Sequence, residues 1–210
     1  MDIDPELIFH RYFSSLNPTA QSHFRGKYDL TKPSRTDFDR LLVDLKDSIN
    51  DSLNSPIDKT RHQSVSPQFH FDYIDSDLEH AMAFRHDGYS FIGVTEPLVN
   101  KAWVLCDSLG RFTPTYLRPA LRNPVDPDSL RVVFFRILLF FIVAHEYTHH
   151  VHGNSPVTYS QEDKVAEEAA TEHADKLDDQ AFEIDADGYA THIVLRSLVP
   201  EMQECPVFRF

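Results

Sequence analysis

Val132 to Ala144 is an apolar run interrupted only by Arg136, and it leads directly into His145-Glu146-Tyr147-Thr148-His149-His150. Pro127, Asp128 and Ser129 suit a helix start, and Gly153 suits the left-handed residue that ends one. The pattern predicts a single helix from about Leu130 to Gly153. Crossing a bilayer takes about 20 apolar residues, more than this run supplies, so the helix is expected in a protein core, buried nearly all round. A helix held that way fixes the geometry of whatever its end carries. Positions i and i+4 project from one face, so His145 and His149 can converge on one metal ion. Glu146 sits about 100° around the axis, within reach of a water on that ion. This H-E-x-x-H arrangement points to a zinc-dependent hydrolase in which Glu146 takes a proton from the attacking water. The plainer alternative is a core helix whose histidines and glutamate are satisfied by hydrogen bonds.

Catalytic zinc keeps three protein ligands and one open position, so a third ligand is needed. The extended pattern H-E-x-x-H-x-x-G-x-x-H does not supply it, because His152 stands at the glycine place and Ser155 at the last histidine. A glutamate on a second helix is the other common solution. Glu183 and Asp187 lie four apart and share one helical face, flanked by Ala186 and Ala190, whose small side chains allow close helix approach. Glu183 is therefore the expected third ligand. Asp187 is expected to orient a ligand histidine through its other ring nitrogen. The alternative is an acidic solvated helix face, with Asp178, Asp179 and Asp185 as neighbours.

H-E-x-x-H followed by E-x-x-A-D resembles the gluzincin metallopeptidases, specifically the CAAX-processing and heat-shock membrane peptidases and their small soluble relatives, the minigluzincins. His80-Ala-Met-Ala-Phe-Arg-His-Asp-Gly-Tyr-Ser-Phe-Ile-Gly-Val94 resembles that family's hairpin before the zinc helix. The opening Ala144-His-Glu-Tyr also resembles the Lit-type phage-exclusion peptidases. The likeness covers about His80 to Leu198; the first 75 residues resemble nothing in the family. It implies an α+β, zincin-like fold, mainly helical, with a small antiparallel sheet whose hairpin edge strand lies beside the zinc helix. It also implies one Zn2+ per chain, held by His145, His149 and Glu183, with Glu146 as general base and Asp187 supporting the site. In that family the outer hairpin strand binds substrate backbone. Here that strand is read as Tyr89-Ser90-Phe91-Ile92-Gly93-Val94, with Gly93 leaving room for another backbone. Lys101 to Ser129 is a long insertion that departs from the family pattern.

Composition agrees with one globular unit spanning 1–210, an N-terminal helical part to residue 75 and a catalytic core over 80–198. The start, Met-Asp-Ile-Asp-Pro, lacks the layout of a signal peptide, and Cys106 and Cys205 form no disulfide framework or metal motif. A cytoplasmic location is expected, without a membrane span. Net charge of −13 argues against nucleic acid as the main partner; the resemblance implies a peptide or protein substrate. Residues 161–187 concentrate eleven carboxylates against Lys164 and Lys176. Such a run reads first as a solvated face or cover, second as a cleft border favouring basic peptides.

Elsewhere, the pattern predicts a helix from Asp4-Pro5 to Asn17-Pro18, a second over Thr36 to Leu53, and a polar loop over Asn54 to Gln68. Phe69, Phe71 and Tyr73 alternate as a strand. His86-Asp87-Gly88 turns a hairpin. Thr95 is read as the cap of a helix that Gly110 closes, holding Trp103 in the core. Pro114, Pro119, Pro124 and Pro127 then space an irregular connection. His150 points away from the metal and His152 toward solvent. Tyr189, His192 and His173 are candidates by type for stabilising an oxyanion. Two readings result: a zinc metallopeptidase, or a metal-containing peptide-binding module without turnover.

Overall fold

Local signals start most of the elements. The computed structural model describes residues 4–31, 36–54, 69–117, 126–151 and 174–204. Asp4 accepts a hydrogen bond from the Glu6 amide (2.9 Å), and Pro5 opens helix α1, Pro5–Ser15. Asn17 caps a short α2, Pro18–His23, by accepting from the Ala20 amide (2.8 Å), where the sequence suggests only a helix end. Strand β1, Phe24–Lys27, follows. Thr36 and Asp39 form a capping box at α3, Asp37–Leu53. Then come β2, Phe69–Ser76, β3, Ala81–His86, and β4, Tyr89–Thr95. Helices α4, Glu96–Leu117, α5, Pro127–Val151, and α6, Ala174–Glu204, complete the chain. The fold is α+β, and no helix among the described residues is long and apolar enough to cross a membrane.

The sheet runs in the order β1-β2-β4-β3 and is mixed, not purely antiparallel. β2 and β4 pair in parallel, while β1–β2 and β3–β4 are antiparallel. The hairpin turns through Asp87 (φ 47°) and Gly88 (φ 83°), the two positive φ values of a twist-matched two-residue turn. β4 thus returns between β2 and β3. This overturns the expectation that Tyr89–Val94 is the edge: its backbone is paired on both sides, and β3 is the outer strand. The physical reason lies in burial. Ser90 to Val94 are buried on both faces, as a central strand must be, whereas β3 is half-buried and carries an exposed Arg85 suited to an edge. Gly93 has a packing role instead, since a Cβ there would stand 2.3 Å from Cδ1 of the buried Ile74.

Two apolar clusters share this sheet. On one face, Leu42, Leu45 and Ile49 of α3, Val99, Ala102 and Cys106 of α4, and Phe135, Leu139, Val143 and Tyr147 of α5 meet Phe71, Tyr73, Ile92 and Val94. On the other, Ile8, Phe9 and Phe13 of α1 cover Ile74, Phe84 and Phe91. α4 does not end at Gly110. It continues to Leu117, and Gly110 is the point where α4 crosses α5, with the Pro127 carbonyl 2.6 Å from where a Cβ would stand. The first residues of the expected irregular connection, Pro114 to Leu117, are therefore helix, while residues 118–125 lie outside the described set, as do 55–68. Trp103 packs as expected, stacked on Phe38 (4.5 Å) and under the Arg131 guanidinium (3.7 Å). α5 is less enclosed than its composition suggests. Phe135, Leu139, Val143 and Ala144 are buried, but Val133 and its neighbours are only partly covered.

An ionic cluster ties the N-terminal elements to the sheet. The Lys46 ammonium donates to Glu6 and to Asp72 at 2.7 Å each, and Lys27 donates to Glu6 at 2.7 Å and lies 3.5 Å from Asp72. Asp72 is fully buried, so Lys46 is its necessary counter-charge. Hydrogen bonds from Lys27 and Lys46 pull the Glu6 carboxyl down to about 2 from its ordinary 4.5. A lowered carboxyl pKa stabilises the fold above the unfolded value, and that contribution disappears as pH falls from 4.5 toward 2. Urea unfolding should place Asp72→Asn about 3 kcal/mol below the wild type, because the Lys46 ammonium loses the buried one of its two carboxylate partners. Glu6→Gln, half-exposed and screened, should cost less and should flatten the acid limb between those two pH values. An acid limb of unchanged slope in that variant would assign the acid sensitivity to other groups.

Candidate metal centre

The end of α5 is pinned to the sheet by three contacts. The Tyr147 ring packs on Phe69 of β2 (4.9 Å between centroids), and the His150 Nε2–H donates to the Phe91 carbonyl of β4 (2.9 Å). Arg85 of β3 donates to the His150 carbonyl (3.3 Å). Burial pushes the His150 pKa down to about 4, so the ring is neutral near neutral pH, with Nε2 as its proton-bearing atom. As the sequence suggests, His150 points away from the metal position. Its role as a bolt between helix and sheet has no signal in the sequence.

Helix geometry then orders the remaining side chains. At about 100° per residue, the directions around α5 run Tyr147, His150, Glu146, His149, His145, in steps of roughly 40° to 60°. Tyr147 lies over β2 and His150 over β4. The same rotation carries Glu146 and the two histidines toward β3, the outer strand.

α6 supplies the other wall. Ala186 and Ala190 are 1% and 0% exposed where α6 packs on α5, so the small side chains do permit the expected close approach. One turn along that face, Glu183 places its carboxylate 3.1 Å from His145 Nε2 and 3.6 Å from His149 Nε2, and the two imidazole Nε2 atoms are 3.1 Å apart. His145, His149 and Glu183 each offer one ligand atom, all within 4.8 Å of one another. Asp187 Oδ1 lies 2.9 Å from His145 Nδ1. A carboxylate there holds the proton on Nδ1 and leaves the Nε2 lone pair directed at the shared centre. Two imidazoles and a carboxylate are a donor set that could hold a divalent ion. Tyr189 is half-buried against the core and His192 is exposed, while His152, Gly153 and His173 lie outside the described residues.

Six residues predicted to bind substrate, Tyr89 to Val94, are not on the rim of this centre's sheet but inside it. The free edge belongs to β3, and its polarity can be read from one bond. The Thr95 amide donates to the His80 carbonyl (2.9 Å), so opposite residues alternate from that pair. Met82, Phe84 and His86 therefore bond to β4, whereas Ala81, Ala83 and Arg85 turn their N–H and C=O groups outward. No strand pairs with that edge among the described residues. Sequence reading missed these three residues, although the charged Arg85 in one strand, beside the apolar Phe91-Ile92-Gly93-Val94 of the other, was the available signal.

No family model, curated protein or solved structure matches the chain.

Metal titration of the purified chain should give one tightly held ion. Glu183→Ala, a change at an exposed position, should lower metal affinity by at least about tenfold while thermal stability of the metal-free protein stays within about 0.5 kcal/mol. Ala186→Leu should weaken metal binding as well, by wedging α6 off α5 at a cost of about 1–3 kcal/mol. Full affinity in both variants would place the third ligand elsewhere.

Proposed function

We propose that the protein is a zinc-dependent metallopeptidase of gluzincin type, with His145, His149 and Glu183 holding one zinc ion, Glu146 as general base and Asp187 as the group orienting His145. The observation that carries this reading is the convergence of His145, His149 and Glu183 on one centre, with Asp187 on the outer nitrogen of His145. Zinc held there would supply Lewis acidity and lower the pKa of a water toward neutrality. The chain's own residues do the rest. Glu146 lies on the turn of α5 between His150 and His149 and faces the β3 side, where its carboxylate can take the proton of an attacking water and return it to the leaving amine. Asp187 fixes the ring and tautomer of His145. The outward N–H and C=O groups of Ala81, Ala83 and Arg85 would hold the substrate extended, as an added strand passing beneath Glu146. Edge pairing of this kind favours an unfolded segment over a folded surface.

Glu146→Gln should keep zinc at full stoichiometry while lowering turnover of a cleaved peptide by about two to four orders of magnitude, since the amide cannot accept a proton. Loss of zinc in Glu146→Gln would make that residue a ligand, against the reading. Tight peptide binding by a zinc-loaded wild type that leaves the peptide intact would instead identify a metal-containing binding module. Ala83→Pro removes one outward donor from β3 without touching the bonds to β4, so it should weaken peptide binding about tenfold or more and leave zinc affinity unchanged.

A further inference from the structure

We infer that Arg85 is a specificity-determining residue that selects an acidic side chain in the bound peptide, an inference that rests on the strand-addition reading above. Arg85 is exposed at the end of the outer strand. Its backbone faces the free edge, and its side chain shares the α5 face with Ala81 and Ala83, because their cross-strand partners Val94, Ile92 and Ser90 alternate onto that face. The guanidinium reaches the end of α5, where its hydrogen bond goes to the His150 carbonyl at 3.3 Å. That one long bond leaves most of its five N–H donors for another acceptor. Arg25, Arg40, Arg111 and Arg131 each have a carboxylate within 3.4 Å; Arg85 does not, and it differs from the unpaired Arg11, Arg136 and Arg196 in lying on the outer strand beside the candidate centre. No carboxylate of the described residues pairs with Arg85.

The edge is graded in size and polarity. Ala81 and Ala83 present small side chains opposite apolar Val94 and Ile92, while Arg85 sits opposite Ser90. A peptide residue paired with Arg85 would have its Cβ about 4.5–5.5 Å away on the same face. An Asp or Glu there can meet the guanidinium in a two-bonded pair, whereas a Lys or Arg meets a like charge. Residues paired with Ala81 and Ala83 find small neighbours and no charge. The demand for acid therefore falls at one peptide position, set by the register in which the substrate lies on β3. The exposed carboxylates of Glu183 and Asp187 lie instead at His145, on α6.

The test uses the full chain loaded with zinc and a proteome-derived peptide library, with cleaved bonds read by mass spectrometry for wild type, Arg85→Met and Arg85→Glu. Wild type should enrich Asp or Glu at one position relative to the cleaved bond. Arg85→Met should abolish that enrichment, and Arg85→Glu should replace it with Lys or Arg, an about tenfold change in kcat/KM for matched acid and base peptides. Preferences at other positions should not move. An acidic preference that is absent in wild type, or that persists in Arg85→Glu, overturns the inference while leaving the peptidase reading intact. A second arm measures binding without turnover: Glu146→Gln protein and alanine–serine peptides through which one Glu or one Lys is walked, followed by amide chemical shifts along β3. Acid-selective binding that Arg85→Glu reverses, in a protein whose wild type cleaves nothing, supports Arg85 and sinks the peptidase. Equal binding of the Glu and Lys series sinks Arg85.

Discussion

The candidate centre depends on how closely α6 can approach α5. Two imidazoles at i and i+4 of one helix define a line of donors, and a third donor from another helix must arrive within a few ångströms. Ala186 and Ala190 make that possible by presenting almost no side chain at the contact. Glu183 and Asp187 then reach across from the same face, one to the shared centre and one to the back of His145. Larger residues at either alanine would hold the carboxylates away while leaving both helices intact.

A second constraint acts on the other side of α5. His150 is buried and neutral, donates to Phe91, and fixes the rotation of the helix end relative to β4. Because neighbouring directions on a helix are set by its period, fixing His150 also fixes Glu146 and His149. The site is thus held from two sides by different chemistry: small-residue packing toward α6 and a buried hydrogen bond toward the sheet. The ionic cluster of Glu6, Lys27, Lys46 and Asp72 does similar work farther away, joining α1 and α3 to β1 and β2 on which that sheet rests. One platform results, with an outer strand beside the centre that no other strand of the described residues pairs.

The half-exposed upper side of α5 fits the same logic. The helix packs on the sheet through one stripe, on α4 and α6 through its flanks and on Phe38 of α3 at Phe135, yet Val133 stays accessible despite its apolar character. α4 comes nearest at Gly110, where backbone meets backbone. Glycine there was legible only as a helix stop, since sequence carries no information about which helix lies opposite.

Local chemistry was legible from residue order. The periodicity of Val132 to Ala144, the i and i+4 histidines, the four-residue spacing of Glu183 and Asp187 with their alanines, the caps at Asp4 and Thr36, and the Asp87-Gly88 turn all act within a few residues of one another. The α+β class and the convergence of His145, His149 and Glu183 follow from such signals. What required the tertiary structure was every choice between partners distant in the chain. Whether β4 lies at the edge or between β2 and β3 is a matter of pairing across the sheet, and the all-apolar Phe91-Ile92-Gly93-Val94 is compatible with either until β2 is seen beside it. Lys46 meets Asp72 across 26 residues, and His150 meets Phe91 across 59. Helix period and turn geometry are properties of adjacent residues, so the sequence alone determines them; strand order and buried long-range pairs arise from competition among many distant contacts, which only the folded chain resolves.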